Sequence, residues 1–192
     1  MIVLLFWNCE KDDRLTFEPL DFITEDCGNC PKVTIHIPKA LDDKPISSII
    51  NNSVQEEVGL RGARTAAFAI RPDIGFGIDT TLACDTPGVP DTDATTRQGE
   101  GFGLHVKDSS FIADRMLVKE IEALAKKEDI PYQRTLLAAG GQDGAAAQQA
   151  AAGARAVGIV VGTRYIHTVT EMIEKGDLEA AKDILVAYLS QT

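Results

Sequence analysis

Two adjacent carboxylates, Glu56 and Glu57, stand in the run Val54-Gln55-Glu56-Glu57-Val58-Gly59. An apolar lead-in through Ile49, Ile50 and Val54 that ends in charge and a glycine reads as a buried strand running into a loop. Carboxylates at the end of a buried strand are costly to desolvate unless they meet a metal, a cation or a proton. Other chemistry-bearing residues also follow predicted strands. Asp42 comes after a strand over 33–37, and Asp79 ends one over 74–78. Asp143 comes after Gly140-Gly141-Gln142 and a strand over 135–138, and His167 lies past one over 157–161. Asp42, Glu57, Asp79 and His167 make an oxygen-plus-imidazole set that suits zinc, cobalt or manganese, and a carboxylate can bridge two such ions. Each residue also has a plainer reading. An Asp after a strand is usually a cap or turn residue, and one histidine is more often a satisfied group than a ligand. On residue types alone both readings stand.

The elements that must position these groups divide by texture. Residues 1–38 alternate short apolar runs with turn residues and read as β-rich. From residue 39 to 192, strands alternate with helices. A further strand is predicted over 102–107, and an amphipathic helix over 112–127 carries Leu117, Ile121, Leu124 and Ala125 on one face. An alanine-rich helix is expected over 144–154, and Leu178, Ala181, Leu185, Tyr188 and Leu189 mark a closing helix. This alternation implies an α/β sheet with helices on its faces, a class that places its sites at strand ends.

Composition narrows the partners. The 192 residues suffice for one ordinary core, and 19 basic against 29 acidic side chains give a formal net charge of −10. That balance argues against nucleic acid or an anionic membrane surface as the main partner. Cys27 and Cys30 form a lone CxxC, a spacing that a redox pair or half a zinc site would share, read here as a turn with two reduced thiols. The apolar start over residues 1–7 is too short to span a bilayer and lacks the features of a signal peptide. It reads as a buried N-terminal strand.

Four segments carry a family resemblance: residues 54–62 (VQEEVGLRG), 78–88 (IDTTLACDTPG), 140–144 (GGQDG) and 163–172 (TRYIHTVTEM). In this order they resemble the M42 family of metallo-aminopeptidases. The resemblance implies a three-layer α/β/α domain with a mostly parallel central sheet, acting in the cytoplasm on peptide substrates and assembling as a homo-oligomer. It implies two divalent ions, zinc or cobalt, and a role for each matched residue. Glu56 takes the place of the general base. Glu57, Asp79 and His167 take the places of metal ligands, and Asp42 that of the bridging carboxylate. Asp85, Gly140, Gly141 and Asp143 would line the substrate side.

Two departures go with it. The family's further histidine ligand has no counterpart here, since His36 and His105 sit in no matching motif, so a single bound ion is one expectation. The interval from Asp42 to Glu57 is also short for a crossover helix, which takes about a dozen residues or more, and Pro45 resists an extended helix there. Residues 1–38 are then expected to be a remnant of the family's inserted β domain, and 39–192 a catalytic domain lacking its N-terminal portion. The alternative to an active enzyme is a truncated, impaired relative serving as a structural or assembly module. A glycosidase reading fails on geometry, because adjacent acids do not flank a sugar bond.

Overall fold

The structure, a computed structural model, describes residues 3–8 and 47–191. The 33–37 strand, the 38/39 boundary, Asp42, Pro45 and the CxxC lie outside the described residues. Among them the elements run β1 (Val3–Asn8), β2 (Ser47–Asn52), α1 (Arg61–Ile70), β3 (Ile74–Leu82), β4 (Phe102–Lys107), α2 (Arg115–Lys127), β5 (Tyr132–Leu136), α3 (Gly144–Gln149), β6 (Arg155–Arg164), β7 (Met172–Ile173) and α4 (Lys175–Ser190).

One mixed sheet joins the strands in the order β2-β1-β3-β6-β4-β5, with β7 on the end of β6. The longest ladder, β3 with β6, is parallel, as is β4 with β5. β1 runs antiparallel to both β2 and β3, and β4 antiparallel to β6. The apolar N-terminal run thus forms a strand inside the sheet.

Helices cover both faces, giving the expected three layers. Successive β3 side chains point to opposite sides. Phe76 meets Tyr188 of α4 edge-on, with ring centroids 5.1 Å apart. Gly75 and Gly77 face the other way, toward Ala147 of α3 and Gln142 just before it. So α2 and α4 pack on one face, α1 and α3 on the other. The core is apolar and fully buried at Phe76, Phe102, Leu104, Leu117, Ile159 and Ile184.

Several expected bounds shift for local reasons. The helix expected over 112–127 begins at Arg115, because Asp114 caps it by accepting a hydrogen bond from Leu117 N at 2.7 Å. Just before it, Ile112 bridges back to Lys107. The alanine-rich helix stops at Gln149, where left-handed Ala151 and Gly153 turn the chain. The strand expected over 135–138 starts earlier, at Tyr132. Asp79 does not end its strand: β3 continues through the β-branched Thr80 and Thr81 to Leu82, paired along its length with β6. Helix α1 lies where the sequence shows no helical pattern.

Candidate functional site

Glu56 and Glu57 sit in a tight turn between β2 and α1. Gly59 N and Leu60 N both donate to Glu56 O, at 3.0 and 2.9 Å, and Gln55, Gly59 and Leu60 all have positive φ. Glycine suits the φ of +117° at position 59, whereas Gln55 and Leu60 hold the left-handed conformation at some cost. Gly62 lets α1 close onto this turn, since a Cβ there would come within 2.6 Å of Val54 N. The run VQEEVGLRG therefore encodes a turn shape as well as two acids. It does not bury both. The Glu57 side chain is 68% exposed, and only Glu56 is partly withdrawn from water.

The remaining residues arrive from the sheet. On β3, Gly75, Gly77 and Asp79 follow one another along the face under α1 and α3. A Cβ at Gly77 would collide with Gln142 Oε1, and one at Gly158 of β6 would lie 3.2 Å from Gln142 Nε2. The two glycines form a trough that seats the Gln142 amide, one step along the strand from Asp79. Asp79 Oδ1 accepts from Thr80 N at 2.7 Å. Asp143 follows Gln142 and is fully buried, and among the described residues neither of its carboxylate oxygens meets a hydrogen-bond partner in good geometry.

His167 occupies a turn after β6 in which Tyr165 and His167 itself are left-handed. Its Nε2 lies 3.8 Å from Glu57 Oε1. Asp85 is committed elsewhere: Arg164 Nε donates to its Oδ1 at 2.7 Å and Gln98 N to its Oδ2 at 2.9 Å. The Arg164 hydrogen bond holds the Asp85 carboxyl below its ordinary value. Gly140 is left-handed, and Ser109 Oγ donates to its carbonyl. Gly141 lies against Ser110, where a Cβ would come within 2.9 Å of the hydroxyl.

Electrostatically the site is acidic and undercompensated. Burial, followed by the charges of Asp79, Asp143 and Glu57, pushes the Glu56 carboxyl up to about 7. Burial also raises Asp79 to about 6, with Asp143 and Glu57 adding to the rise against the Thr80 hydrogen bond. Asp143 is raised to about 6 by burial, which the nearby Ser53 hydroxyl offsets only in part. Carboxylate oxygens and an imidazole are the donors that hard and borderline divalent cations take, and raised proton affinity marks a charge excess that a cation would neutralise. In donor type and charge the residues fit such an ion. Among the described residues, no three His, Cys, Asp or Glu side chains converge closely enough to enclose one.

One buried group has no signal in the sequence. His105 is buried on β4, with Nδ1 2.7 Å from Thr135 Oγ1 and Nε2 3.3 Å from Asp108 Oδ2. Asp108 Oδ1 accepts from Ser110 N, Ser110 Oγ and Phe111 N, at 2.6, 2.6 and 3.0 Å. Through Ser109 and Ser110 this network braces the Gly140–Gly141 loop. Nothing in the sequence pairs Asp108 and the two serines with His105.

The α/β/α layering brings acids and an imidazole to one end of the sheet, and comparison with known proteins makes the class of domain specific. The model of the M42 glutamyl aminopeptidase family matches residues 30–184, and the chain belongs to that family. It is 34% identical over 146 residues to the glutamyl aminopeptidase of Lactococcus lactis subsp. cremoris, covering 76% of this chain and 40% of that one. Aminopeptidase APDkam598 from the archaeon Desulfurococcus kamchatkensis superposes with a TM-score of 0.74 at 32% identity, over 77% of this chain and 42% of that one. The Pyrococcus horikoshii TET1 peptidase, described as able to assemble into a tetrahedron or a large octahedral shell, gives 0.63 at 30% identity, over 74% and 41%. The chain thus spans about two fifths of the relatives it matches. Among the described residues no helix is long and apolar enough to cross a membrane.

Proposed function

We propose that this chain carries the catalytic face of a divalent-metal aminopeptidase that removes N-terminal residues from peptides. The observation that supports it most is Glu56: a partly buried carboxyl with proton affinity near neutrality, next to an exposed Glu57–His167 pair and close to Asp79. Glu57, Asp79 and His167, with Asp42 from outside the described residues, would hold the ion or ions, zinc or cobalt being suited to these donors. Bound ions of this kind supply Lewis acidity, lowering the pKa of water and polarising a peptide carbonyl. Glu56 takes the proton from the attacking water and returns it to the leaving amine. A proton affinity near the working pH suits both halves of that task. Asp79, in the sheet, fixes one side of the site. Glu57 and His167, on separate turns, close it from the solvent side. Gly140 and Gly141, exposed and without side chains, would border the peptide on a loop that Ser109 and Ser110 hold. Asp85, anchored by Arg164, holds the turn that borders it.

The reading places the protein in the cytoplasm, acting on peptides rather than on nucleic acid or membranes. The shell-forming relative supports assembly as a homo-oligomer, which light scattering after size-exclusion chromatography would register as a mass well above 20.7 kDa. The activity test compares aminoacyl-p-nitroanilides with their N-acetylated forms, before and after chelation. Cation-dependent turnover of the free-amine substrates alone is expected. No turnover at saturating zinc, cobalt or manganese would contradict the reading and leave a non-catalytic module.

A further inference from the structure

Asp143 does not do what its position offers. It stands at the N-cap of α3, yet its side chain accepts no capping hydrogen bond. The nearby Gly144 N donates to Gln142 Oε1 instead, at 2.8 Å. The Asp143 residue is 0% exposed, and among the described residues neither its oxygens nor the Ser53 hydroxyl beside it meets a hydrogen-bond partner in good geometry. No cationic side chain among the described residues is near enough to offset its charge.

A buried carboxylate in this state is destabilising, and folds retain such groups where a ligand compensates them. Among the described residues the Ser53 hydroxyl alone favours its charged form, and it offsets the cost of burial only in part. What lies around it is further negative charge: its field reaches both Asp79 and Glu56. The placement is specific. The Gly77–Gly158 trough seats Gln142, and Gln142 carries Asp143 to the same sheet face as Asp79.

We propose that Asp143 is a further cation-binding residue: a buried carboxylate that, with Asp79, draws a divalent ion to the sheet side of the site. This rests on the metal-dependent reading above and extends it to a residue otherwise placed only along the substrate side. It divides the donors by depth, with Asp79 and Asp143 in the protein and Glu57 and His167 at the solvent edge.

The test uses the whole chain freed of metal, with zinc, cobalt and manganese titrated by calorimetry and thermal unfolding followed in parallel. For Asp143→Asn, affinity should fall roughly 10- to 100-fold, in the range found when groups supporting a metal site are removed. The rise in Tm on adding the ion should shrink with it. The metal-free variant should be at least as stable as the parent, because an uncompensated buried charge has gone. Should Asn not be tolerated, Asp143→Ser carries the same expectations. Parent and variant binding alike would overturn the proposal and leave the metal-dependent reading intact. A metal-free variant clearly less stable than the parent would overturn it in favour of a structural role. Absence of binding by the parent chain would overturn both.

Discussion

His167 Nε2 lies 3.8 Å from Glu57 Oε1, and this pair joins the turn after β2 to the turn after β6. Both side chains are about two-thirds exposed, 64% for His167 and 68% for Glu57, so the contact contributes little to stability, on the order of 0–1 kcal/mol. Yet His167 keeps a left-handed backbone with φ of 63°, and the Glu57 turn contains two further left-handed non-glycine residues. Strained turns that present an acid and an imidazole to each other at a surface are better explained by a ligand than by folding energy.

The carboxyl cluster sets an unusual pH dependence. Glu56 at about 7, Asp79 at about 6 and Asp143 at about 6 bind protons more tightly in the fold than in the unfolded chain. Their contribution to stability is therefore fully present below their ordinary values and is lost as pH rises through the raised ones. Asp85, Asp108, Asp114 and Glu122 are held low and act oppositely, their contribution disappearing as acid protonates them. Metal-free protein should be most stable near about pH 5 and decline toward about pH 8, and a saturating divalent ion should flatten that decline. Thermal unfolding across this range checks it. A metal-free profile that rises steadily to pH 8 would contradict the raised carboxyls.

Asp108→Ala should destabilise the fold by about 2–3 kcal/mol, because it strands donors on half-buried Ser110 and buried Phe111 and removes the partner of buried His105. Urea unfolding measures this. A loss below about 1 kcal/mol would mean that the network does not brace the Gly140–Gly141 loop.

Much of this was legible in the sequence, for physical reasons that differ by element. The strand over 102–107 matched β4, a short run buried on both faces over its first four residues, and the apolar stripe of α2 matched its buried face at the helical period. Helix α1 was hidden. Its buried side is alanine, at positions 63 and 67, its start is a left-handed Leu60 without a side-chain cap, and Phe68 faces outward. The charge on Asp79 looked like a strand end, but sheet pairing carried β3 past it. The Glu56-Glu57 pair was visible because a tight turn is a local property. The unpartnered state of Asp143 was not, since it depends on a glycine trough built from two strands distant in sequence.

That trough gives a further prediction. Gly77→Ala would push a methyl into Gln142 Oε1, displacing the amide and with it Asp143. A stability loss of about 1–3 kcal/mol is expected from overpacking, together with weaker divalent-ion binding. Calorimetry and urea unfolding on one preparation would show both. Unaltered binding with unaltered stability would mean that Gln142 is not seated on Gly77.

The division of labour between the paired acids can be measured directly, as turnover of an aminoacyl-p-nitroanilide by ion-loaded Glu56→Gln protein, with bound metal quantified on the same sample. The account predicts turnover lower by roughly 100- to 10,000-fold with metal content unchanged, the signature of a lost proton-transfer group. Turnover retained by this variant, or lost only in step with the metal, would contradict it.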